Sequence, residues 1–315
     1  MKSKSTDIKI DALIENDHVL ILTNRGEVYS FGSNDVDQLG YPTLEEVTTK
    51  PKKIPGLPPI KAISSTSACS IALSTDGEVF TWGDKLETGR KDKNRLPEKV
   101  PLPDPVIQVA AGRYHMMALT QNGEVFGWGT NRVHQIDYYS TDLIKEPKKL
   151  LMDKYKNPLF KKVTKIACSN YDTLALDVEG NITQWGRSHN LPSWFSFPIK
   201  FIKIECGGDH FLALNESGRV FKWNTAYMSS GEEKSGLSDY SKSHFPTEIK
   251  NLPEAKAIKG SQDYSLVFTT KCIYSISQPL GFPQEKFIFK VKANPEFTKL
   301  IHSEAILFCL SILRH

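Results

Sequence analysis

The chain has 315 residues, of which 39% are hydrophobic and 24% are charged, a composition typical of a globular protein. Its formal net charge of +4 is the balance of 40 basic and 36 acidic residues. This near balance argues against a polycation, so we expect no nucleic-acid binding. The longest apolar run near the C-terminus, Ala305 to Leu313, is too short for a transmembrane helix.

The N-terminus and the cysteines both favour an intracellular setting. Residues 1–7 are polar and lack the apolar core of a signal peptide. The five cysteines form no C-x-x-C pair, and Cys69, Cys168 and Cys206 fall in apolar strand patterns, where a free thiol acts as a small hydrophobe. We therefore predict a short tail over residues 1–7 and one domain over residues 8–315, in the cytoplasm or nucleus.

Internal repeats dominate the sequence. Five segments align without gaps: HVLILTNRGEVYSFG from His18, CSIALSTDGEVFTWG from Cys69, HMMALTQNGEVFGWG from His115, DTLALDVEGNITQWG from Asp172 and HFLALNESGRVFKWN from His210. A sixth segment, DYSLVFTTKCIYSIS from Asp263, keeps the alternation of apolar residues but lacks the glycine and the tryptophan. Such repetition predicts one supersecondary unit repeated along the chain.

Each copy predicts a β-hairpin. An alternating apolar run indicates a half-buried strand, and a polar residue followed by glycine indicates a tight turn with positive φ. The turn glycines are Gly26, Gly77, Gly123, Gly180 and Gly218. The returning strand carries a large ring at one repeated position, filled by Phe31, Trp82, Trp128, Trp185 and Trp223. We expect these rings to pack between neighbouring units.

Further apolar segments flank the hairpins and predict one more strand on each side, which gives four strands per repeat unit. Upstream runs include residues 109–112 and 204–207, and downstream segments include SNDVDQLG from Ser33. A four-stranded antiparallel unit repeated in one chain predicts an all-β fold, a β-propeller whose blades are these units.

The pattern G-x-V-[YF]-x-W-G-x-N-x-x-x-Q-L-G, preceded by A-x-G-x-x-H-x-x-A-L, resembles the repeat of the regulator of chromosome condensation family. Residues 26–40 and 110–119 carry it most fully. The resemblance implies a seven-bladed β-propeller. Six hairpins are visible, and residues Leu300 to Arg314 are interpreted as a degenerate seventh hairpin that closes the ring. A six-bladed ring is the alternative.

No catalytic, metal or cofactor motif accompanies the repeats. The chain has no P-loop, no G-x-G-x-x-G turn, no H-E-x-x-H and no G-x-S-x-G. His18, His115 and His210 share one repeat position, but equivalent positions on different blades are spread around a ring. We therefore predict no metal site and no cofactor.

The resemblance also implies a partner. In the family's founding member, one propeller face binds a Ran-type small GTPase and accelerates release of its nucleotide, through residues of the G-x-x-H loops. The matching positions are Asp17, His18, Tyr114, His115, Asp172, Asp209, His210 and Asp263. Some positions depart from the pattern: Glu15 and Thr66 replace the loop glycine, and Cys69 replaces the histidine.

The expected function is that of a monomeric propeller that binds a small GTPase of the Ran or Rab type, as a guanine-nucleotide exchange factor or another regulator. Residues 137–162 and 224–252 are candidates for the projecting hairpin that assists exchange in the family. The alternative is a non-catalytic scaffold propeller, including a bacterial effector that acts on GTPase signalling in the host cytosol.

Overall fold

The computed structural model describes residues 10–15, 17–90, 96–137, 139–150, 162–187, 189–195, 199–224, 245–261, 264–277 and 288–292. Within these ranges the regular secondary structure consists of β-strands alone, and the 24 strands form six four-stranded antiparallel sheets. The predicted all-β propeller of four-stranded blades is confirmed. The tail over residues 1–7 and the predicted seventh hairpin lie outside the described residues, so the count of seven blades stays a prediction, as does the domain boundary.

The blades follow one another along the chain. Blade 1 holds β1 (Ile10–Glu15), β2 (His18–Thr23), β3 (Val28–Ser33) and β4 (Val47–Lys53). Blade 2 holds β5 (Ile60–Ser65), β6 (Cys69–Ser74), β7 (Val79–Gly83) and β8 (Glu98–Lys99). Blade 3 holds β9 (Val106–Ala111), β10 (His115–Thr120), β11 (Val125–Gly129) and β12 (Ile144–Lys149).

The second half of the chain repeats this order. Blade 4 holds β13 (Val163–Cys168), β14 (Asp172–Asp177), β15 (Ile182–Gly186) and β16 (His189–Phe195). Blade 5 holds β17 (Phe201–Cys206), β18 (His210–Asn215), β19 (Val220–Asn224) and β20 (Thr247–Glu248). Blade 6 holds β21 (Ala255–Gly260), β22 (Tyr264–Thr269), β23 (Cys272–Ser277) and β24 (Ile288–Lys292). The segments considered for a projecting hairpin thus contribute the outer strands β12 and β20.

In blades 1, 2, 4 and 5, the hairpin turn between the second and third strands also forms a backbone hydrogen bond with the next blade. Gly26 and Gly77 have φ of 74° and 86°, and Gly123, Gly180 and Gly218 are likewise positive, as the turn chemistry predicts. The Gly26 carbonyl accepts a hydrogen bond from Ile60 N at 3.0 Å, and the Gly77 carbonyl accepts one from Val106 N at 2.9 Å. A Cβ on Gly26 would lie 2.9 Å from Ile60 N, so the turn needs glycine for this approach as well.

The first strands of consecutive blades lie side by side and enclose a central channel. β1, β5, β9, β13, β17 and β21 each contact the next in this series. The cavity between them has a volume of about 720 Å³ and is lined by residues of β5, β9, β13, β17 and β21. The loops that join first to second strands surround one mouth of this channel, and the hairpin turns lie at the opposite ends of the strands.

The hydrophobic core lies between blades, in interfaces that we call seams. Each of the five core clusters draws buried residues from two neighbouring blades. Trp82 and Trp128 are fully buried, and Trp185 and Trp223 are 4% and 2% exposed. Trp82 packs with Leu20 and Leu39 of blade 1, so the predicted wedge between blades is confirmed. Phe31, the counterpart in blade 1, is partly exposed.

The sixth hairpin corrects the ungapped sequence alignment. His18 pairs with Gly32 in blade 1, whereas Tyr264 pairs with Ser277 in blade 6. Tyr264, and not Asp263, therefore stands at the histidine position, because the β22–β23 turn is one residue shorter than the others. This turn lacks glycine, and the Thr269 hydroxyl oxygen instead accepts a hydrogen bond from Cys272 N at 3.0 Å.

Candidate functional site: the loop ring

The loops between first and second strands form a continuous structure that we call the loop ring. It comprises residues 66–68, 112–114, 169–171 and 207–209, together with Asp17 and Ser261. Backbone hydrogen bonds join each of the four loops to the next: Ser67 N to Arg113 O at 3.3 Å, Arg113 N to Asn170 O at 3.1 Å, and Asn170 N to Gly208 O at 2.9 Å. This side of the propeller therefore presents a connected surface around the channel mouth.

The eight predicted contact residues divide into two groups. Asp17 and Asp209 are exposed and Tyr114 is partly exposed, all on the loop ring. In contrast, His18, His115 and Asp172 have no exposed surface, and His210 is 2% exposed. These four side chains offer a partner almost no atom to contact in this structure. Asp263 lies outside the described residues.

The buried histidines link neighbouring blades through a hydroxyl group. His18 Nε2 lies 2.6 Å from Ser70 Oγ, and that hydroxyl donates to the Gln38 carbonyl at 3.0 Å. Likewise, His115 Nε2 lies 3.1 Å from Thr173 Oγ1, which donates to the Gln135 carbonyl at 2.7 Å. His210 Nε2 lies 2.5 Å from Ser265 Oγ in blade 6.

This network assigns the imidazole tautomer. The hydroxyl protons of Ser70 and Thr173 are committed to carbonyl oxygens, so Nε2 must carry the proton and donate it to the hydroxyl oxygen. Nδ1 is then a bare acceptor, and Nδ1 of His18 and His115 has no hydrogen-bond partner in the described part of the chain. Protonation at Nδ1 would place an uncompensated charge in the seam.

Burial accordingly lowers the pKa of all three histidines. The pKa of His18 falls to about 4, and those of His115 and His210 fall to about 3. The three imidazoles are neutral at physiological pH. Their spacing around the ring and their hydroxyl partners give them a structural role in holding blades together.

The loop glycine and the histidine depend on each other. A Cβ on Gly112 would lie 2.1 Å from His115 Cε1 and 2.4 Å from Ser169 O, and a Cβ on Gly207 would lie 2.1 Å from His210 Cε1. The imidazole edge that bears Nδ1 thus packs against the glycine. A side chain at the first loop position is compatible only with a different residue at the histidine position.

Blades 2 and 4 use that second arrangement. Thr66 Oγ1 accepts a hydrogen bond from Cys69 N at 2.8 Å, and Ser169 Oγ accepts one from Asp172 N at 3.0 Å. Thr66 and Cys69, which differ from the glycine and histidine of the repeat pattern, therefore stabilise the loop through their own hydrogen bond. The placement of Glu15 at the loop-glycine position is wrong, because Glu15 pairs with Val19 at the end of β1, in a loop one residue shorter than that of blade 3.

The loop ring also carries an exposed cluster that sequence reasoning identified only at Tyr114. The rings of Tyr114 and Tyr171 lie 6.4 Å apart, with the Arg113 guanidinium 5.3 Å from the first ring and the Arg187 guanidinium 5.1 Å from the second. We call these four residues the Arg–Tyr row. The sequence signal for this cluster was a tyrosine at the same loop position in two successive repeats. No such signal marked Arg187, which follows the third strand of blade 4.

The described residues place no group of three or more His, Cys, Asp or Glu side chains where they could hold a metal ion. They include no helix long and apolar enough to cross a membrane.

Comparison with protein families agrees with the repeat geometry. A family model described as the regulator of chromosome condensation (RCC1) repeat matches residues 25–73 and 76–119, and a second model of that description matches residues 106–135. This chain carries the RCC1 repeat. The matched residues run from the hairpin turn of blade 1 to the segment that follows β11 in blade 3, and they include Gly112 and His115.

Known proteins with this repeat are similar to parts of the chain. The mitochondrial RCC1 domain-containing protein RUG3 of Arabidopsis thaliana is 32% identical over 110 residues, which are 30% of this chain and 24% of that protein. The regulator of chromosome condensation of Xenopus laevis is 38% identical over 66 residues, 21% of this chain and 16% of that protein. The chain thus spans less than a quarter of either relative.

Nearly the whole chain resembles a solved propeller structure. Prp20p of Saccharomyces cerevisiae superposes with a TM-score of 0.69 at 23% identity, covering 91% of this chain and 78% of that one. At this identity the likeness supports the RCC1-type propeller fold and no more.

Proposed function

We propose that the loop ring binds a small GTPase of the Ran or Rab type and that the protein accelerates release of its nucleotide. The observation that carries this proposal is the hydrogen-bonded series of repeat loops in blades 2 to 5, with an exposed carboxylate at Asp209 in that series and another at Asp17 in blade 1. The RCC1 repeat supports it, as does the likeness to Prp20p, whose structure was reported with its binding properties to Gsp1p and histones.

Exchange needs no acid, base or nucleophile from the propeller. An exchange factor acts by binding the nucleotide-free GTPase more tightly than the loaded form, so its binding energy lowers the barrier to nucleotide loss. A rigid, pre-organised loop ring suits this task because little conformational entropy is lost on binding. Asp17, Tyr114 and Asp209 are the predicted contacts that lie on this surface. The partner would be met inside the cell, in cytoplasm or nucleus.

The test is the release of a fluorescent guanine nucleotide from Ran-, Rab- and Rho-type GTPases. We expect acceleration of one GTPase, with loss of at least about tenfold in Asp209→Ala, which corresponds to about 1.4 kcal/mol of transition-state binding. The matched control is Asp76→Ala, which removes an exposed carboxylate from a hairpin turn at the opposite ends of the strands and should leave the rate unchanged.

Other outcomes contradict parts of the proposal. Stable binding without acceleration would contradict exchange and identify a scaffold or effector. No binding to any of these GTPases would overturn the GTPase assignment, and an equal loss in Asp76→Ala would overturn the choice of face.

A further inference from the structure

The Arg–Tyr row is held in place by the backbone of blades 3 and 4. Arg113 N donates to Asn170 O at 3.1 Å, Thr130 N donates to Tyr114 O at 2.8 Å, and Arg187 N donates to Tyr171 O at 3.1 Å. Both arginines are exposed and both tyrosines are partly exposed. The row is therefore a surface feature built on ordered backbone.

Stacking prepares the two guanidinium groups for binding. A guanidinium is attracted to the face of an aromatic ring, and its planar set of N–H donors matches the geometry of a carboxylate. The neighbouring Tyr114 and Tyr171 raise the pKa of Arg113, so its charge is secure. Because the side chains are already ordered against the rings, a partner that binds them loses less rotamer entropy.

The row is confined to two blades. The positions of Arg113, Tyr114 and Arg187 are filled in blade 2 by Ser67, Ala68 and Asp84. The loop ring is therefore cationic and aromatic at blades 3 and 4, while exposed carboxylates stand at Asp17 in blade 1 and Asp209 in blade 5. Arginine and tyrosine are also the residue types that most often dominate protein interfaces.

We propose that the Arg–Tyr row of Arg113, Tyr114, Tyr171 and Arg187 is the anchor for an acidic segment of a partner protein. The charge of the row selects aspartate and glutamate side chains, and the tyrosine faces supply contact area between them. A nucleic acid fits this surface less well, because its binding depends on many cationic contacts to phosphates and the same ring carries Asp17 and Asp209.

The test uses a fluorescently labelled short peptide of alternating aspartate and glutamate, with the matching asparagine–glutamine peptide for comparison. Fluorescence anisotropy should show weak, salt-dependent binding of the acidic peptide only. Arg113→Ser and Arg187→Asp, which place blade 2 residues in the row, should each weaken binding about tenfold, the effect of losing about 1.4 kcal/mol. Arg113→Lys keeps the charge but loses the planar stack, and should fall between wild type and Arg113→Ser.

The control is Arg25→Ser, which removes an exposed arginine from a hairpin turn and should leave the affinity unchanged. All the changed residues are exposed, so unaltered thermal melting would confirm that each variant folds. Equal binding by the row variants and wild type would overturn the proposal, as would tighter binding of a single-stranded oligonucleotide than of the acidic peptide. No GTPase is used, so this result stands apart from the exchange assay.

Discussion

The seams of this propeller are of two kinds. Between blades 1 and 2, 3 and 4, and 5 and 6, a buried histidine meets a hydroxyl, in the pairs His18–Ser70, His115–Thr173 and His210–Ser265. Between blades 2 and 3 and blades 4 and 5, the histidine positions hold Cys69 and Asp172, and the hydroxyl positions hold the fully buried Met116 and Phe211. The comparison teaches that the hydroxyl position accepts either a hydroxyl that bonds to the histidine or an apolar side chain. With the apolar side chain, the residue at the histidine position and its loop differ as well.

Acid should distinguish the two kinds of seam most strongly. The folded protein keeps its three seam histidines neutral down to a pKa of about 4 or about 3, whereas the unfolded chain protonates them below about 6.5. The unfolded state then binds more protons, so the free energy of unfolding falls as the pH drops from about 6.5 toward 4. Each histidine contributes about 1.4 kcal/mol per pH unit. Urea unfolding at about pH 7 and about pH 5 measures this slope.

Two variants sharpen that measurement. His115→Gln keeps a hydrogen-bond donor without a titrating group, so its stability should depend less steeply on pH. Glu87 acts in the opposite direction, because burial raises its pKa to about 7 and the folded protein takes up a proton there. Glu87→Gln should therefore steepen the loss in acid. Equal slopes in wild type and His115→Gln would show that the seam histidines do not govern acid stability.

The loop beside each seam provides the next largest contrast. Gly112→Ala places a Cβ against the His115 ring and the Ser169 carbonyl, and should cost about 3 kcal/mol of unfolding free energy through overpacking. Ser169→Ala, at the same loop position in blade 4, adds no atom and removes the hydrogen bond from Asp172 N together with the long one, 3.4 Å, that the Ser169 hydroxyl donates to Asp172 Oδ2, and should cost about 1 kcal/mol. Denaturant titration of both variants checks the difference. Similar costs would mean that the glycine is not required by the histidine.

The smallest contrast concerns two tryptophans. Trp82 and Trp128 are both fully buried, but Trp82 Nε1 donates to the Gln38 carbonyl at 2.9 Å, whereas Trp128 Nε1 has no partner within the described ranges. Replacement by phenylalanine removes similar volume in each case. Trp82→Phe should cost about 1 kcal/mol more than Trp128→Phe, the contribution of one hydrogen bond. Thermal melting of the two variants side by side provides the measurement, and a larger loss in Trp128→Phe would contradict it.

Local chemistry made the hairpins predictable from sequence. The glycine turns, the alternating strands and the tryptophan position each depend on residues within a few positions of one another. The same ungapped comparison misplaced Asp263, because a turn shortened by one residue leaves the alternation of apolar residues intact. It also grouped exposed and buried loop residues together, since Asp209 and His210 are neighbours in sequence but differ in burial.

The sequence by itself determined the repeated hairpin, its turn glycines, its wedge tryptophans and hence the propeller architecture, because these features arise from short-range sterics and periodicity. Tertiary structure alone decided which hydroxyl meets each histidine, across separations of 52 to 58 residues. It also placed the Tyr114 ring of blade 3 beside the Tyr171 ring of blade 4. These contacts depend on how one blade is rotated against the next around the ring, and that rotation is set by seam packing that no single repeat contains.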